Sequence, residues 1–184
     1  MVLIALWSRN LKDTDAALDW LYQDCIKAGP GLCPVYEETV PLIRHRVDGL
    51  LRKLKVRPAT FYDVPTKTYG EVDYSIAKYA IFSSLYSLHT SGRRLTIALA
   101  ELERGDAKPL FDMARRKLDH TSFTCNCPPK PLPPSGQGAY INLAIACSDG
   151  APVRYSLEEL QEFYAEMGEE SVFAEVMTRR IGCS

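Results

Sequence analysis

The chain has 184 residues, of which 46% are hydrophobic and 24% charged, the balance of a globular domain that can bury a real core. Its 22 basic and 23 acidic residues leave a formal net charge of −1, so no cationic surplus exists to neutralise phosphates, and nucleic acid is not an expected partner. No apolar run approaches the roughly 20 residues of a membrane span.

Residues 1–7 are apolar, but the stretch is short and no basic residue precedes it, so it reads as a strand or packing segment rather than a secretory signal. On that ground the chain as written is expected inside the cell. The cysteines point the other way. Cys25, Cys33, Cys125, Cys127, Cys147 and Cys183 are an even set, which suggests disulfides and an oxidising compartment.

A first helix is predicted over residues 13–28, capped by Asp13, with Ala17, Leu18, Leu21, Cys25 and Ile26 on one face. Gly29-Pro30 stops it, because glycine permits a left-handed turn and proline cannot continue the helix. A second helix over 38–54 carries the stripe Ile43, Val47, Leu50, Leu51 and Leu54, with Pro41 in its first turn. Residues 57–68, with Pro58 and Pro65, are expected to be extended or turn. A third helix runs from 72 or 73 to about 85 and is rich in tyrosine, phenylalanine and small residues. Thr90 or Ser91 is expected to cap a fourth helix that ends at Gly105-Asp106. A fifth covers 108–118, with Leu110, Phe111 and Ala114 on one side.

Residues 119–138 hold five prolines, Pro128, Pro129, Pro131, Pro133 and Pro134, with Gly136 and Gly138, and read as an exposed loop within a single 184-residue domain. The run 139–147 is a buried strand or a short helix, which periodicity does not settle. Ser156 and Glu159 form a capping-box pattern that opens a helix to about Met167. A last helix over 170–180 is expected to bury Val172, Phe173 and Val176. The expected fold is mainly α, with six or seven helices and one or two short strands.

No nucleophile elbow, Walker loop or dinucleotide fingerprint occurs, so no catalytic residue and no cofactor are expected. The three histidines are His45, His89 and His120. His45 lies between two arginines on a solvated helix face, and the other two lie in loops. His120, Cys125 and Cys127 have the right chemistry for zinc but number three where a structural site wants four, so no metal is expected. Asp149, in Ser-Asp-Gly-Ala-Pro, is a turn aspartate or the end of a strand that points into a cavity.

Several segments in order resemble the middle of fungal and actinobacterial tripeptidyl-aminopeptidase-like α/β-hydrolases, relatives of proline iminopeptidases. They are Trp7-Ser-Arg-Asn10 with Asp13-Thr-Asp15, Cys25-Ile-Lys-Ala-Gly-Pro-Gly-Leu-Cys33, Tyr69-Gly-Glu-Val-Asp-Tyr74, Leu99-Ala-Glu-Leu-Glu-Arg-Gly-Asp106, Ala144-Ile-Ala-Cys-Ser-Asp-Gly150 and Ile181-Gly-Cys183. The resemblance implies the helical cap that covers the active site of a secreted serine peptidase or esterase. In that family the serine lies upstream of this region and the acid and histidine downstream, so the isolated chain is expected to be inactive. It implies Tyr69, Tyr74 and Asp149 as substrate-facing residues. It also implies bridges Cys25–Cys33 and Cys147–Cys183, with Cys125 and Cys127 bonded to each other, to a missing part or to nothing. The implied partners are a missing hydrolase core or a second copy, and a peptide or small hydrophobic ligand. A stand-alone, non-catalytic helical module for a small hydrophobic ligand or a protein is the alternative.

Overall fold

The computed structural model describes residues 11–118, 148 and 156–176, and the architecture is mainly helical with one two-stranded antiparallel sheet. The chain divides into two compact units, Thr14–Lys117 and a second made of Met1–Asp13 with Leu118–Ser184. The proline-rich loop 119–138, the run 139–147 and the N-terminal segment 2–7 lie outside the described residues.

In the first unit, α1 (Thr14–Ala28) buries Leu18, Leu21, Tyr22 and Cys25. The buried face is turned slightly from the expected one: Ala17 and Ile26 flank it half-buried, and Tyr22 fills its centre. Gly29 ends the helix at φ 74°, and its N–H donates to the Cys25 carbonyl at 3.1 Å, the left-handed stop that the sequence predicts. Cys25 and Cys33 are disulfide-bonded with Cα atoms 5.3 Å apart, which pins the following loop to the helix end. The second helix, α2 (Val40–Val56), has proline in its first turn and buries all five residues of its predicted stripe.

Where a plain extended segment was expected, residues 59–72 form a hairpin. Strand β1 (Ala59–Asp63) pairs with β2 (Thr68–Val72), Phe61 opposite Gly70 and Tyr62 opposite Tyr69. The pairing escapes a propensity reading because both strands are short and the stabilising neighbour is distant in sequence. Phe61 meets Phe111 edge-on at 5.0 Å between ring centres. Phe111 belongs to α5 (Lys108–Leu118), which the sequence places correctly. A Cβ on Gly70 would come within 2.9 Å of both rings, so only glycine lets the hairpin lie this close.

The third helix, α3 (Tyr74–Leu85), is the centre of this unit. It packs against α1, α2, α4 and β2, and it buries Ala77, Lys78, Ala80, Ile81, Phe82, Ser83 and Ser84. Asp73 caps its start by accepting from the Ile76 N–H at 2.7 Å. The next helix, α4 (Leu88–Glu103), starts two to three residues before the expected cap. Ser91 is not a cap: its hydroxyl donates to the Ser84 and Ser87 carbonyls at 2.8 and 2.6 Å, and so fastens the first turn of α4 to the end of α3.

In the second unit, α6 (Leu157–Glu170) begins with the predicted capping box, Ser156 accepting from the Glu159 N–H and Glu159 accepting from the Ser156 N–H. It runs past Met167 and ends at Ser171, whose extended backbone separates it from a tight turn, so no helix begins at 170. Phe173 is buried as expected, but Val172 is exposed, because the break at Ser171 turns it outward.

Two outcomes test this packing. Gly70→Ala should destabilise the protein by about 1–3 kcal/mol, since two rings must shift to admit the methyl group. An unchanged urea midpoint would show that the hairpin does not lie on Phe111. Replacing Cys25 and Cys33 together by alanine should lower stability by about 2–3 kcal/mol through the freed unfolded chain. Peptide mapping under non-reducing conditions should recover the 25–33 bridge.

Candidate functional site

Of the residues singled out for substrate, Tyr69 stands on the outer face of the hairpin, 79% exposed. Strand alternation puts Tyr62 beside it, 62% exposed, while Phe61 turns to the other face and meets Phe111. The hairpin therefore presents an open pair of phenol rings.

Tyr74 begins α3 and has a different setting. Its ring takes the Lys55 ammonium at 4.1 Å and the Lys78 ammonium at 5.6 Å, and Lys78 Nζ also lies 3.5 Å from its hydroxyl. An aromatic face attracts cations through its quadrupole. Lys78 is only 8% exposed, so the tyrosine helps to hold a charge inside the helical unit. Sequence reasoning missed both lysines. Lys78 was legible as the i+4 neighbour of Tyr74, whereas Lys55 comes from another helix and was not.

Two arginines organise the rest. Arg46 on α2 reaches Glu103 at the end of α4 through two nitrogens, at 2.9 and 2.7 Å, and also donates to the Tyr36 carbonyl at 3.2 Å and to Glu37 at 3.3 Å. This forked grip joins the loop after the disulfide to two helices. The hydrogen bond to Glu103 holds its guanidinium still more firmly protonated than usual. Arg44 pairs with Asp19 and lies 6.0 Å from the Tyr22 ring. Tyr22 is 2% exposed, and its hydroxyl makes no hydrogen bond with a described residue. Burial pushes its phenol well above the ordinary range; Arg44 opposes this, and Asp48 and Asp19 add to it.

His45 and His89 are exposed, and His89 lies in the first turn of α4 where a loop was expected. Asp149, Cys147, Cys183, Cys125, Cys127 and His120 lie outside the described residues. Among the described residues there is no group of three or more histidine, cysteine or carboxylate side chains arranged to hold a metal, and no helix long and apolar enough to cross a membrane. No family model matches the chain, and neither a curated protein nor a solved structure gives a significant match.

The buried phenol makes a pH prediction. Its folded pKa is raised, so the unfolded chain loses this proton near pH ~10 while the folded chain keeps it. The stability from burying the neutral phenol is therefore full below that pH and falls as pH rises above it. Tyr22→Phe should be about 0–1 kcal/mol more stable at pH ~7, where it removes an unpaired hydroxyl. Above pH ~10 its stability should fall less steeply than that of the wild type, by about 1.4 kcal/mol per pH unit. Urea titrations at several pH values check this, and equal slopes would contradict it.

Proposed function

We propose that this chain is the substrate-covering cap of a serine α/β-hydrolase of the tripeptidyl-aminopeptidase type, acting on short peptides or esters, with the nucleophile and the acid–histidine pair supplied by residues other than these 184. The observation that supports this reading most is the outward aromatic face of the hairpin. Tyr62 and Tyr69 are left open although the same unit buries many large apolar residues. Paired exposed rings with polar hydroxyls offer a face that a ligand or another protein body can cover. Trp20 and Tyr86 are also exposed.

A second reading has its own support. The unit Thr14–Lys117 is compact and carries most of the fully buried large residues, among them Ile43, Ile81, Leu95, Leu99 and Leu110, as a stand-alone binding module would. In that reading the same hairpin face takes a small hydrophobic ligand or a protein partner directly.

Two measurements decide between activity, cap and module. The purified chain should not be labelled by a fluorophosphonate probe and should not cleave short peptides; specific labelling of one serine, lost on heating, would overturn the proposal. The chain should bind a hydrophobic dye, and Tyr62→Ser with Tyr69→Ser should remove a large part of the signal. A compact monomer with cooperative unfolding, whose dye signal comes from the hairpin face alone, favours the module. The segments 2–7 and 141–146, from which exposed apolar surface is expected by the resemblance, lie outside the described residues.

A further inference from the structure

The six glutamates of α6, Glu158, Glu159, Glu162, Glu166, Glu169 and Glu170, share the helix with no lysine or arginine. At about 100° per residue they fill one continuous arc of roughly 120°, beside the face that carries Leu160, Phe163 and Met167. The spacing sets Glu158 against Glu162, Glu162 against Glu166 and Glu166 against Glu170, and like charges four residues apart repel. Glu169 and Glu170 also stand in the last turn, at the negative end of the helix dipole. All six are exposed, and none pairs with a cation among the described residues; Glu159 is engaged only by the capping box. This face of the helix is destabilised by its own charge, and a cationic surface laid against it would relieve that.

Such a surface exists in the other compact unit. The end of α2 and its cap carry Arg52, Lys53, Lys55 and Arg57, all exposed, around Val56, which is 88% exposed. Arg52, Lys53 and Arg57 have no acidic partner among the described residues, and Lys55 rests on the Tyr74 ring rather than on a carboxylate. Asp48 is the one acidic residue on the exposed side of the helix. The opposite side is the buried stripe, so the basic face cannot turn inward.

We propose that the chain associates with a second copy of itself, the basic face of α2 on one copy lying against the glutamate face of α6 on the other. The occupant is a second copy because each chain holds one exposed face of each sign, and among the described residues neither face has its counter-charges, so a second copy offers each its complement. Two copies can satisfy both faces reciprocally in a closed dimer; one contact at a time gives an open array. Exposed ion pairs are individually weak and are screened by salt, so this association is modest in strength and vanishes at high ionic strength. It does not depend on the cap reading, which concerns the hairpin and apolar surfaces that salt does not weaken.

Sedimentation of the full chain across a concentration series tests it. In about 20 mM salt the average mass should rise with concentration, and in about 500 mM salt it should return to that of the monomer. Arg52→Glu with Lys53→Glu, and separately Glu162→Lys with Glu166→Lys, should each weaken self-association at least about tenfold. An equimolar mixture of the two variants should restore it, because the reversed faces then match between chains. Restoration in the mixture is the decisive sign of contact between copies. Wild-type protein that stays monomeric at about 0.3 mM in low salt would overturn the proposal. So would association that high salt and both variants leave unchanged, which would place the contact on apolar surface, or a mixture that fails to recover. The wild-type salt series stands without any variant, and all four altered positions are exposed.

Discussion

A helix buried over most of its surface has to settle its polar groups within its own neighbourhood, and α3 is such a helix. Alanines at 77 and 80 keep its surface low, so that α1, α2, α4 and β2 can all approach it. Ser83 and Ser84 return their hydroxyls to the Ala80 carbonyl at 3.2 and 2.8 Å, which satisfies both of these buried donors. Lys78, the one charge on this buried surface, lies beside the ring at the head of its own helix. The position of α4 follows from α3, since Ser91 ties the two together across their short connection.

Around this centre the periphery is held by a few specific devices. The loop after α1 is fixed at one end by the Cys25–Cys33 bridge and along its length by Arg46, which also grips Glu103. The hairpin is fixed by the missing side chain at Gly70, which lets Phe61 and Phe111 meet. Lys108 adds an electrostatic tie, donating to Asp112 at 2.6 Å and lying 3.9 Å from Asp63 at the end of β1. Exposed charge pairs of this kind orient more than they stabilise. The main stabilisation comes from the buried stripes.

The helical unit spends its apolar residues on its own core and still leaves two tyrosines open on the hairpin. The acidic helix and the basic helix end each keep an excess of one sign. Surfaces of this kind suit docking, either over a substrate or against another chain.

Much of the fold was legible before any coordinates. The five-residue stripe of α2, the stop at Gly29-Pro30, the bounds of α5 and the capping box at Ser156 all rest on interactions within a few residues, and those interactions are written in the order of the side chains. The candidate site was less legible. Tyr69 and Tyr74 were named together from one short segment, yet strand alternation turns Tyr69 to solvent, while the start of α3 places Tyr74 against Lys55 and Lys78. What only the tertiary structure decided is pairing at a distance: Phe61 with Phe111, Arg46 with Glu103, Lys55 with Tyr74, and the true start of α4. Local propensity tells a residue which shape to take, but its partner across the core is selected by packing and charge that no short stretch of sequence contains.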